Sequence, residues 1–164
     1  MRKLLGALAA IACASVTFWT AAASATSGAH FFKDTSATVT DNGALSIFID
    51  EAGVGQQTDD FTLDWTATAD YGCINGGGNH PRAANKSTTS TSGSSSFSES
   101  PINGRVRATV TAGGTPPAPS NGFTGPGGQR LVLADVSYSA TLTDTTNGDS
   151  APTLTASRTF FTFT

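Results

Sequence analysis

The chain has 164 residues, with nine Lys and Arg against twelve Asp and Glu, for a formal charge of −3 at pH 7. Its few cations are scattered and form no basic stripe that could neutralise a run of phosphates, which argues against a nucleic-acid partner. Only 13% of residues are charged, and Thr, Ser, Gly and Ala dominate, the balance of an extracellular β protein rather than a helical cytoplasmic one.

The first 25 residues read as a secretory signal: basic Arg2-Lys3, an apolar run from Leu4 through Ala12 and beyond, and a small-residue exit at Ala23-Ser24-Ala25. Lipoprotein processing at Cys13 is the alternative, but Ala10-Ile11-Ala12 matches poorly the small-residue box such a cysteine needs. Cleavage would leave one domain, 26–164, of 139 residues (164 less 25). Loss of Arg2 and Lys3 takes its charge to −5, from seven basic and twelve acidic residues. No later apolar run approaches the ~20 residues that span a bilayer, so the expected product is secreted, extracellular and without a membrane span.

The chain should open with a hairpin. Phe32 to Thr40 and Ala44 to Asp50 flank Asp41-Asn42-Gly43, where Asn-Gly suits the positive φ values of a type I′ turn. After the Gly-rich turn 51–55, the segment from Asp60 to Asn75 alternates strictly. Phe61, Leu63, Trp65, Ala67, Ala69, Tyr71 and Cys73 fall on one face, and Thr62, Asp64, Thr66, Thr68 and Asp70 on the other. A strand so much longer than the usual ~5–6 residues is expected to bend or bulge between Asp70 and Gly72.

Beyond the Gly-rich stretch 75–86, Ser87 to Phe97, with Phe97 its sole large apolar residue, is either an edge strand or a mobile loop, and the edge strand is the expectation. Arg105 to Ala112 and Val136 to Thr143 alternate again, separated by a Gly- and Pro-rich loop, 113–128. The turn Thr145-Thr146-Asn147-Gly148 leads to Leu154–Thr164, whose Phe160, Phe161 and Phe163 mark a docked last strand rather than a free tail. About seven short strands and no amphipathic helix predict an all-β, antiparallel, immunoglobulin-like two-sheet sandwich, with a small Greek-key barrel as the rival.

Chemistry-bearing residues are sparse. His30 and His80 are the histidines, neither in a recognisable nucleophile setting. Cys73 could pair with His80 in nucleophilic catalysis, but it lies on the apolar face of its strand, where a thiol acts as a small buried hydrophobe. The pairs Asp50-Glu51 and Asp59-Asp60, with Asp144 and Asp149, resemble calcium-loop or glycosidase carboxylates in type. They match no EF-hand pattern and read as solvated turn residues. No metal or cofactor is expected. Phe123 is the one aromatic in a loop setting suited to a sugar platform, and Asn85-Lys86-Ser87 is a formal glycosylation sequon.

Cys73-Ile74-Asn75-Gly76-Gly77-Gly78, then Pro81 and Ala84-Asn85-Lys86, then Gly128-Gln129 and Leu131-Val132-Leu133-Ala134 before Val136-Ser137-Tyr138, resemble a family of small secreted proteins of GC-rich Gram-positive bacteria. That family is largely uncharacterised, so the resemblance implies kinship over most of the chain and no activity. It also implies a second cysteine just before a Pro-x-Gly-Gln motif, where this chain has Gly125 in Thr124-Gly125-Pro126-Gly127-Gly128-Gln129. On that alignment the bridge is lost and Cys73 is left as a buried, unpaired thiol.

The expectation is therefore a monomeric, non-enzymatic interaction module with an extracellular or cell-wall ligand, polysaccharide or protein. Asn75, Asn79, His80, Asn85, Lys86 and Phe123 are its candidate binding residues, on loops at one end of the sandwich. The alternatives are a structural or adhesive protein that self-associates through an edge such as Ser87 to Phe97 and, less favoured, a small hydrolase.

Overall fold

The computed structural model describes residues 28–75, 86–119 and 127–162. Residues 1–27, Phe163 and four of the candidate residues, Asn79, His80, Asn85 and Phe123, lie outside them. Among the described residues nine strands follow in order: β1 (His30–Phe31), β2 (Ser36–Val39), β3 (Leu45–Ala52), β4 (Asp59–Asn75), β5 (Lys86–Glu99), β6 (Arg105–Val110), β7 (Gln129–Asp144), β8 (Asp149–Ser150) and β9 (Leu154–Thr159). Seven have four or more residues, and all pairings are antiparallel.

In the first sheet β3 is central, with β6 on one side and β1 and β2 end to end on the other. In the second, β4 and β7 form the centre, β5 the edge beyond β4, and β8 with β9 the side beyond β7. The sheets stack as a β-sandwich. Leu45, Ile47 and Ile49 of β3 meet Phe61, Leu63 and Ala67 of β4 and Val136, Tyr138, Ala140 and Leu142 of β7, all buried. Phe97, the lone aromatic of β5, stacks on its register partner Phe61 at 5.5 Å between centroids.

The expected bend in β4 is a register shift against β7 between Asp70 and Tyr71. The opening hairpin differs from expectation. Gly43 alone takes a positive φ (+85°), and Gly43 N–H donates to Thr40 O at 3.0 Å, so the loop is a type I turn closed by a glycine bulge rather than type I′. Thr40 explains the choice, because its hydroxyl accepts from Ala44 N–H at 2.9 Å and caps the turn. The strand before it is also broken. At Thr35 the side-chain hydroxyl accepts from Asp50 N–H (3.1 Å) and donates to Asp50 O (3.0 Å), replacing the ladder between β1 and β2. The last strand docks on β7 as expected, and both Phe160 and Phe161 N–H donate to Ala134 O.

Candidate functional site

The alternation of β4 sends Asp64 and Thr66 to the outer face of the five-stranded sheet. Register then places Ser94 and Thr141 beside Asp64, and Ser92 and Ser139 beside Thr66. These six exposed side chains line an open depression of about 580 Å³. Neighbours along a strand face stand ~6.7 Å apart and neighbours across strands ~4.8 Å, so the surface is a regular lattice of hydroxyls around one carboxylate.

Several hydroxyls around this lattice are engaged. Thr68 and Ser90 share a hydrogen bond of 2.9 Å, Ser98 donates to Asp60 at 2.6 Å, Thr143 and Ser150 meet at 3.1 Å, and Thr159 donates to Asp135 at 2.8 Å. In the middle, none of the six side chains bonds to another described residue. Behind the groove, the Trp65 indole lies against Gly93 and Gly114, with the Tyr138 ring edge-on at 6.3 Å. Tyr138 Oη donates to Gly43 O at 2.8 Å, which ties the inner face of the sheet behind the groove to the opening hairpin.

Of the expected binding residues, Asn75 closes β4 and Lys86 opens β5, so the two lie at the same end of the five-stranded sheet. Both have partners. Cys73 is free and 1% exposed, as anticipated, so its thiol cannot meet a substrate.

The acidic residues differ from expectation. Asp50, Glu51, Asp59 and Asp144 are buried, at most 1% exposed, and not solvated in turns. For Glu51, Asp59 and Asp144 the reason is strand parity. Glu51 continues the inward row Leu45, Ile47, Ile49; Asp59 precedes Phe61 and Leu63; Asp144 follows Ala140 and Leu142. The apolar core thus ends in a layer of carboxylates contributed by both sheets.

Asp144 Oδ1 accepts from the N–H groups of Thr146 (2.8 Å) and Asn147 (3.1 Å), and the Asn147 amide bridges Asp144 Oδ2 (2.6 Å) and Asp59 Oδ1 (2.9 Å). Both Glu51 oxygens and Asp59 Oδ2 are buried with no hydrogen-bond donor. Burial first, and then the Asp144 carboxylate beside it, raise the Glu51 pKa from 4.5 to about 8, while burial and Asp144 also raise that of Asp59.

Asp50, one residue away, faces the opposite side of β3. There Arg105 Nε and Nη2 donate to its two oxygens at 2.6 Å each, and Arg107 Nε stands at 3.6 Å. The Arg105 hydrogen bonds hold its carboxyl below the usual range. Adjacent carboxyls are thus driven in opposite directions by the two faces of one strand. Among the described residues no group of three or more His, Cys, Asp or Glu side chains is spaced to hold a metal ion, and no helix is long and apolar enough to cross a membrane.

No family model, curated protein or solved structure matches the chain.

Proposed function

We propose that this protein acts outside the cell as a non-enzymatic recognition module, holding a hydroxyl-rich polysaccharide on the outer face of its five-stranded sheet. The observation that carries this reading is the unspent centre of the hydroxyl lattice: Asp64, Thr66, Ser92, Ser94, Ser139 and Thr141 are exposed, adjacent and unbonded to other described residues. Ser and Thr hydroxyls both donate and accept, as sugar hydroxyls do, and Asp64 can accept from two of them at once. With a carboxylate and no cation in the groove, an anionic polymer is disfavoured.

Two features favour binding without catalysis. Glycoside hydrolysis needs two carboxyl groups flanking the bond, and Asp64 is the sole one in the groove. The remaining clustered carboxylates are sealed in the core, and Cys73 with them. The test is co-sedimentation of the purified protein with insoluble peptidoglycan, chitin and cellulose. Saturable retention on one of them, weakened about tenfold or more by Asp64→Ala, is expected. Retention unchanged by Asp64→Ala, or none on any polymer, would defeat the reading.

A second reading, self-association, has one specific observation in its favour. β5 is a 14-residue edge strand with charges only at its termini, Lys86 and Glu99, and it lacks the central Lys or Pro by which natural edges resist pairing.

A further inference from the structure

We propose that the carboxylate layer is a proton-operated latch: a proton shared between Glu51 and Asp144 closes that end of the sandwich, and its loss releases β1 and the β7–β8 turn. The argument starts from which groups face Glu51. Asp144 comes from β7, Asp149 from β8 and Asp59 from β4, all acidic. From β6 the register partner is Val106, and the neighbouring Arg105 and Arg107 lie on the outer face with Asp50. On β1 the register partner is Phe31, while His30 pairs in register with Ala52 on the outer face and binds Gly28 O through Nδ1 at 2.7 Å. No cation and no N–H donor among the described residues reaches the Glu51 carboxyl.

An ionised Glu51 would therefore be a buried charge with no protein donor or cation to meet it, which proteins do not sustain without neutralising the group. One proton resolves the geometry. As an acid, Glu51 donates O–H to Asp144, whose other acceptor positions are already filled by Thr146, Asn147 and the Asn147 amide. A cation would resolve the charge as well. However, the Asn147 amide already places N–H groups on both Asp59 and Asp144, and the carboxylates are not at metal spacing.

The layer is also joined to movable pieces. Phe31 N–H of β1 donates to Asp149 Oδ2 at 3.2 Å, and the Phe31 ring meets Phe61 at 6.5 Å. β1 contributes only two residues of pairing to its sheet and β8 only two to its own. Loss of the proton sets Glu51 against Asp144, Asp149 and Asp59 at once, and these two short strands are the least costly elements to release.

The test is a carboxyl-carbon NMR titration of the intact protein from pH 4 to 9.5, alongside thermal unfolding of wild type, Glu51→Gln and Asp144→Asn over the same range. The proposal expects a Glu51 midpoint near 8, with the Phe31 and Asp149 amide signals moving at that midpoint. The wild-type Tm should fall as pH rises from about 4.5 through about 8, the interval in which only the folded state holds the proton, and level off above it. Glu51→Gln, which keeps an N–H donor toward Asp144, should show no fall in that window, and Asp144→Asn should bring the Glu51 midpoint down.

A Glu51 midpoint in the ordinary carboxylate range of ~4–5 overturns the latch. So do parallel Tm profiles of wild type and Glu51→Gln. A rise in wild-type Tm with millimolar calcium chloride that Glu51→Gln abolishes also overturns it, because a cation and not a proton would then fill the layer. The wild-type titration decides the matter even if neither variant folds.

Discussion

Gly93→Ala puts a methyl group against the Trp65 indole, on the inner face of the sheet behind the groove. A Cβ built at Gly93 lies 2.5 Å from Trp65 Cζ2, 2.9 Å from Cε2 and 3.1 Å from Cη2. Carbon atoms in contact prefer ~3.5–4.0 Å, so the ring would have to retreat by ~1 Å. Its retreat is opposed by the Gly114 backbone, where an added Cβ would sit 3.2 Å from the same ring, and by Tyr138 edge-on at 6.3 Å. Overpacking of this kind costs ~1–3 kcal/mol, against which replacing a strand glycine returns ~0.4–1 kcal/mol from the unfolded chain.

The net expectation for Gly93→Ala is a loss of ~1–2 kcal/mol, or roughly 3–8 °C in Tm for a domain of this size. The outward-facing Ser92→Ala and Ser94→Ala should stay within ~0.5 kcal/mol of wild type. Urea unfolding followed by tryptophan fluorescence measures this, because Trp65 is the one tryptophan of the chain besides Trp19. In a Trp65→Leu background the sign should reverse, with Gly93→Ala neutral or stabilising. If Gly93→Ala matches Ser92→Ala, the packing of Trp65 described above is wrong.

Other consequences follow from burial and charge. Asp50 is held in its charged form by Arg105, so its contribution is present above the usual carboxylate range near 3.8 and is lost as pH falls through its lower folded value. Arg105→Ala should lower Tm at pH 5, with the gap from wild type closing toward pH 2, whereas Arg107→Ala should do much less at any pH. A constant gap across pH 2–5 would contradict the pairing. The Cys73 thiol should resist an aromatic disulfide reagent in the native protein and react at once in urea; rapid native labelling would place it at the surface. If β5 pairs with a second copy, light scattering at high protein concentration should show a dimer that Ser92→Lys disperses. A monomer at all concentrations removes the self-association reading.

Strand parity made much of the fold legible before any coordinates. Phe61 to Cys73 declared a half-buried strand, and its length required the irregularity found at Asp70 and Tyr71. The Ser- and Thr-rich run Ser87 to Phe97 read as an edge strand, which it is, and the structure shows its lone Phe97 resting on Phe61.

Parity also held the information that was misread. Glu51, Asp59 and Asp144 are each in phase with buried apolar neighbours, but the general rule that carboxylates face water outweighed phase. Whether three inward carboxylates from three strands meet in one layer depends on how the sheets stack, which no single strand encodes. The hairpin turn escaped for a local reason, since Asn42-Gly43 allows type I′ but the Thr40 hydroxyl stabilises the bulged alternative. The hydroxyl groove was unreadable in the same way. Asp64, Ser94 and Thr141 are far apart in sequence, and only the registers of β4 with β5 and β7 bring them side by side.

The central claim is most directly tested by titrating the isotopically labelled protein with a soluble oligosaccharide of whichever polymer retains it, and following every backbone amide by NMR. The account predicts that the largest shifts fall on Asp64, Thr66, Ser92, Ser94, Ser139 and Thr141, with Asp64→Ala abolishing them. Shifts confined to the end of the sheet near Asn75 and Lys86, with the groove silent, would contradict it.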